Sequence, residues 1–226
     1  LGFMVDAITI TGVEGEVLAE GAEDGAPTWK MDKFLIAENG SYDRAYSHYY
    51  IAENRGYDGY DRVLAEGPYN FGWGASNPDK VEHYPYQDGL LVWYWDTEFT
   101  DNNTSAHPGG GQALPIDARP AALTWSDGTL VRNRIQSFDA TFGLEPTDPI
   151  SLHRETATGT MTTLDVPSQE AVPVFDDTDP MAYYDTDNPG HSAIVGGTGT
   201  RIEVSGQEPN GIMHVKVSVG GDPAPE

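Results

Sequence analysis

Apolar and polar residues along this chain fall into short runs and alternations, and few stretches keep helical spacing over three turns. GLLVWYWD, residues 89–96, is apolar on both alternating faces, which predicts a central strand covered on each side. GFMVDAITI, residues 2–10, sets Phe3, Val5, Ala7 and Thr9 against Met4, Asp6, Ile8 and Ile10, and predicts a second strand of that kind. AYSHYYIAEN at 45–54 is aromatic and strand-like; RIQSFDATFG at 134–143 and ISLHRET at 150–156 are shorter candidates. MHVKVSVG alternates cleanly, with Met213, Val215, Val217 and Val219 opposite His214, Lys216 and Ser218. Short strands bounded by Gly, Pro, Asn and Asp predict an all-β fold, a β-sandwich or jelly roll with long aromatic-rich loops and little helix.

Two long stretches interrupt this rhythm. TGVEGEVLAEGAEDGAP at 11–27 is acidic and turn-rich, and it separates the first strand from the rest. Residues 57–89 read as a loop-like insertion crowded with aromatic residues, and loops of that length are functional or packed by their own side chains. GGDPAPE at the end has linker composition. The expected organisation is a terminal strand of a preceding jelly-roll domain over 1–10, a β-sandwich module over 11–220 with a sub-boundary considered near Thr124, and a linker over 221–226. The chain reads as a piece of a longer protein.

Charge changes the picture most. Twelve Lys and Arg against 36 Asp and Glu give a formal net charge of -24, which repels phosphate backbones and anionic membrane surfaces. Nucleic acid and membrane are therefore not expected partners, and no apolar run approaches the roughly 20 residues of a membrane-spanning helix. There is no cysteine, so disulfides and thiolate metal sites are excluded. An extracellular protein of this kind needs another brace, and calcium is the obvious one.

The six histidines are His48, His83, His107, His153, His191 and His214, and no two are four residues apart, so the H-E-x-x-H zinc motif is missing. No G-x-S-x-G elbow and no phosphate-binding glycine loop occurs. Paired carboxylates, enough for a glycosidase, are guaranteed by the number of acids alone and select nothing. A more specific feature follows the GLLVWYWD strand: Asp96, Glu98, Asp101, Asn102 and Asn103 put five oxygen-bearing side chains within eight residues. Calcium takes six to eight such oxygens, whereas Asx residues also cap turns; both readings stand at this point. FDDTDPMAYYDTDNPG, with Asp176, Asp177, Asp179, Asp185 and Asp187, reads rather as a turn. Asp6, among apolar neighbours, needs solvent or a cation. Tyr69, Trp73, Tyr84, Tyr86, Trp93, Tyr94 and Trp95 read as core more than as a sugar platform. Coplanar, exposed Tyr57, Tyr60, Tyr69 and Trp73 would favour glycan or protein binding instead.

YYIAENRGYDGYD, GPYNFGWG, VEHYPYQDGLLVWYWDTEFTDNN, HPGGG, LPIDARP, RIQSFDATFGLEPTDPISLH, VPVFDDTDP and GTGTRIEV occur in order along the chain. Together they resemble the region after the catalytic domain of immune inhibitor A peptidases, which are secreted bacterial zinc metalloendopeptidases. GFMVDAITITG is similar to the closing strand of the MAM-like jelly roll that precedes this region, and VEGEVLAEGAEDGAPTWKMDKF looks like the start of the family's Val-Glu-Gly-named module. The resemblance runs from about Gly2 to Val219. It implies a non-catalytic C-terminal β domain in an extracellular enzyme. Its partner would be the catalytic domain of the same polypeptide, its parent's substrates proteins, and the parent's zinc would lie on upstream residues. An acid on the last jelly-roll strand often holds a structural calcium, and Asp6 occupies that place. The common pattern has two acids where this chain reads Asp6-Ala7. The expected metal ligands are thus Asp6, Asp96, Glu98, Asp101, Asn102 and Asn103, all for calcium.

Overall fold

The computed structural model describes residues 8–12, 15–20, 48–66, 84–131, 137–155, 158–209 and 211–220, the first two segments as backbone only. The fold is all-β, with ten strands among the described residues arranged in four small antiparallel sheets. Strands β1 (Ile8–Gly12) and β2 (Gly15–Glu20) form a hairpin. Strands β3 (His48–Arg55), β4 (Gly89–Asp96) and β5 (Ala113–Ile116) form a three-stranded sheet with β4 central. Strands β6 (Ile150–Glu155) and β7 (Met161–Val166) make a second hairpin. Strands β8 (Val174–Asp176), β9 (Arg201–Gln207) and β10 (Met213–Ser218) make the other three-stranded sheet, and β1 lies beside β10.

The two three-stranded sheets face each other across the main core. Leu90, Val92 and Tyr94 of β4 and Leu114 and Ile116 of β5 meet Phe175 of β8, Ile202 and Val204 of β9 and Met213 of β10, with Phe142 and Tyr183 between them. Removing these side chains from water supplies the driving force, about 1.5–3 kcal/mol for each large one. Phe142 and Phe175 meet edge to face at 5.8 Å, and Tyr50 meets Phe175 edge to face at 4.8 Å, the arrangement that ring quadrupoles favour. A second cluster of Trp125, Val131, Phe138, Leu152 and Val166 lies under the β6–β7 hairpin. Residues on both sides of Thr124 contribute to the main core.

The central position expected of residues 89–96 is what β4 occupies. Its two tryptophans depart from the expectation. Trp93 and Trp95 are partly exposed on the face turned away from the main core, where Tyr94 is buried. The period-2 pleat imposes this, because Tyr94 and its neighbours in sequence point to opposite faces. RIQSFDATFG is not one strand: its described part makes a 3-10 turn at Ser137–Asp139, which sends Phe138 to the second cluster and Phe142 to the first. A β-bulge sets Ser205 of β9 as an extra residue opposite His214 and Val215 of β10, and Val217 further along β10 is exposed. The stretch at 11–27 contains β2, and the 57–89 insertion opens with a 3-10 turn at Gly59–Asp61 followed by a short helix α1 at Arg62–Glu66.

Candidate functional site

The side chains of His48, Tyr94, Asp96 and Thr198 meet near the end of β4. A cleft of about 320 Å³ is lined there by His48 of β3, Tyr94 and Asp96 of β4, Phe99 and the Pro108–Gly110 loop, and by Ile194, Val195, Gly196 and Thr198 before β9. His48 Nδ1 lies 2.9 Å from Tyr94 Oη and 3.4 Å from Asp96 Oδ1. Burial, the largest cause, and the nearby Asp96 push the Tyr94 phenol upward, so it stays protonated. Of the hydroxyls at this cleft, Thr198 Oγ1 is already bonded to Asp177 and Thr200, so it is not free to serve as a nucleophile.

The loop leaving β4 uses its predicted oxygen donors on its own backbone. Asp96 is buried, and its Oδ1 accepts from the Glu98 amide at 2.8 Å. Asp101 Oδ1 accepts from the Asn103 amide at 2.7 Å and pairs with His107 Nε2 at 2.9 Å. Asn102 Oδ1 accepts from the Ala113 amide at 2.7 Å. The first two are Asx-type turns, and the Asn102 bond ties the loop to the start of β5. Glu98 and Asn103 are exposed. Among the described residues, no group of three or more His, Asp or Glu side chains is placed to hold a metal ion. Asp6 lies outside the described residues.

The second acidic stretch is built around one buried carboxylate. Asp177 is fully buried, and its Oδ2 accepts from Tyr50 Oη at 2.7 Å, Thr198 Oγ1 at 2.7 Å and the Thr198 amide at 3.1 Å. Its Oδ1 accepts from the Thr200 amide at 2.6 Å. The Gly196 amide in turn donates to Tyr50 Oη at 3.0 Å. This network ties β3 to the loop before β9 and thereby builds one wall of the cleft. Its neighbours Asp176, Asp179 and Asp185 accept from the Thr178, Met181 and Asp187 amides as turn caps.

Sequence reasoning missed a buried acid pair, Asp117 and Asp139. Asp117, just after β5, and Asp139 are both buried, and Asp117 Oδ2 and Asp139 Oδ1 meet no hydrogen-bond partner. Burial, then the neighbouring Asp139, raises the Asp117 carboxyl, and burial raises Asp139. Arg119 stands between elements: its Nη1 donates to the Asp139 and Thr141 carbonyls at 2.7 and 3.1 Å, and its Nη2 to the Glu170 carbonyl at 2.7 Å. An acid inside the apolar stretch LPIDARP was the available signal.

Of the four aromatics proposed as a binding plane, Tyr69 and Trp73 lie outside the described residues. Tyr60 is 93% exposed, whereas Tyr57 is tucked in with its hydroxyl donating to the Tyr86 carbonyl at 2.7 Å.

The chain is thus an all-β domain of small antiparallel sheets. The sequence family described as Immune inhibitor A-like metallopeptidase, VEG domain, matches residues 43–215, and the chain belongs to that family. It is similar to Pre-pro-metalloprotease PrtV of Vibrio cholerae serotype O1, at 33% identity over 152 residues, covering 67% of this chain and 15% of that protein. It is also similar to Immune inhibitor A of Bacillus thuringiensis subsp. alesti, at 28% identity over 215 residues, covering 91% of this chain and 27% of that protein. The chain therefore spans well under a third of the relatives it matches. Among the described residues no helix is long and apolar enough to cross a membrane.

Proposed function

We propose that this chain is a non-catalytic module of a secreted zinc metallopeptidase and braces the catalytic unit of the same polypeptide, which acts on proteins. One observation carries the reading. The chain belongs to a metallopeptidase family, yet its own histidines never take the H-E-x-x-H spacing a zinc helix requires. The zinc and its activated water would then belong to residues outside this chain. The purified 226-residue chain is expected to leave casein intact with or without added zinc, while the full-length parent degrades it. Turnover by the short chain would end the reading.

Calcium is the second part of the proposal. The loop at Asp96, Glu98, Asp101, Asn102 and Asn103 carries the hard oxygen donors that ion takes, and the chain has no cysteine with which to brace itself otherwise. The ion would draw on the carboxylate oxygens not already accepting from the turn amides. Calcium is expected to raise the melting temperature relative to chelator, by about 2.7 kcal/mol of stability at 100-fold over the dissociation constant. A superimposable pair of melting curves would remove calcium from the account.

A further inference from the structure

The outer face of the β3–β4–β5 sheet is apolar and aromatic around Trp93 and Trp95, and toward the end of β3 it carries the Glu53–Arg55 ion pair, with Trp93 Nε1 donating to Glu53 Oε1 at 3.4 Å. Residues directly opposite in antiparallel strands share a face. The register pairs Tyr49 with Trp95 and Ile51 with Trp93, and then Trp93 with Pro115 and Trp95 with Ala113. These six side chains therefore stand together, away from the core that Tyr50, Val92, Tyr94, Leu114 and Ile116 fill on the other face. Tyr49 and Trp95 lie parallel, with ring centres 5.7 Å apart. Coverage falls along the face: Leu91 is fully buried, Trp93 and Trp95 are partly exposed, and Ile51 is 42% exposed.

We propose that this face is the docking surface for the remainder of the peptidase polypeptide, taking an apolar, weakly charged protein surface; this rests on the bracing role proposed above. Two observations select that occupant. A second copy is disfavoured, because each chain carries a net charge of -24 and like charges oppose self-association. The matched relatives extend far beyond this module, which covers only 15% and 27% of them, so most of the polypeptide is available as a covalently linked partner. A tethered surface is held at high effective concentration, so a modest aromatic patch suffices to keep it docked. Trp and Tyr are the side chains that anchor such contacts.

Cysteine reactivity in the full-length parent tests the face. Ile51 and Met161 are equally exposed in this module, at 42% and 45%, and the module has no cysteine of its own. Ile51→Cys and Met161→Cys are labelled separately with a maleimide, and the rates are read by peptide mass spectrometry. The docked face makes Ile51→Cys react at least about tenfold more slowly than Met161→Cys, since labelling must wait for local opening. Adding Trp95→Asp, or the milder Trp95→Ser, should bring the two rates together. Equal rates without that addition overturn the proposal, and so does protection of Ile51→Cys that grows with protein concentration, which would mark a second copy. A parent that fails to cleave casein refutes the bracing role, and the labelling rates still decide whether this face is covered.

Discussion

Asp177→Ala is expected to destabilise the module by at least about 3 kcal/mol. The carboxylate is fully buried and accepts from Tyr50 Oη, from the amide and hydroxyl of Thr198, and from the Thr200 amide. Alanine strands all of these donors at once, and each buried unsatisfied donor costs about 1–3 kcal/mol. At this chain length each kcal/mol lowers the melting temperature by about 2–4 °C, so calorimetry resolves the change easily. Asp179→Ala is the control. Asp179 is exposed and its side chain caps the Met181 amide, so its loss should stay within about 1 kcal/mol. Similar losses for the two variants would show that the Tyr50–Asp177 network does not hold the sheets together.

The second large effect is a pH dependence set by Asp117. Its folded carboxyl is raised to about 8 by burial and by Asp139, while the unfolded chain returns it to the ordinary carboxylate range. Between those values the folded state binds the proton and the unfolded state does not. Stability is therefore complete below the unfolded value, declines as pH rises, and levels off once the folded carboxyl has ionised. The slope approaches about 1.4 kcal/mol for each pH unit. His191 acts on the acid side: burial lowers it to about 4, so its contribution is lost as pH falls below about 6.5. The interval from pH 6.5 to 8 thus isolates the acid pair. Denaturant midpoints should fall across it in the native chain and flatten in Asp117→Asn, which keeps the shape and removes the charge. An unchanged slope in that variant would assign the dependence to other groups.

How much of this was legible in the sequence depended on the local signal. The apolar run of β4 announced a central strand because both of its faces are apolar, and β4 does pair on both edges. Which aromatic faced which layer was not legible, since Trp93, Tyr94 and Trp95 are all large and the sandwich decides by register. Strand β8 has only three residues and could not declare itself by alternation. Strand β9 carried a usable signal in Ile202 and Val204, both buried, that the surrounding glycines and threonines obscured. Asp177 was counted among turn acids because nothing adjacent in sequence marks its partners; Tyr50 is 127 residues away. For the acid pair, LPIDARP marked Asp117 alone, and nothing local marked Asp139, 22 residues on, as its neighbour.

The HPGGG motif has a further meaning in three dimensions. At Gly109, with φ +77°, a side chain would run into Ile194 and Tyr184 at 2.7–2.8 Å, and at Gly110 it would enter the Phe99 ring. The Gly109 amide donates to the Pro189 carbonyl, the Ile194 amide donates to the Gly109 carbonyl, and Thr104 Oγ1 donates to the Gly190 carbonyl. The loop leaving β4 and the loop before β9 are thereby tied together. Exposing either loop to a protease requires breaking its ties to the other, which raises the cost of local opening.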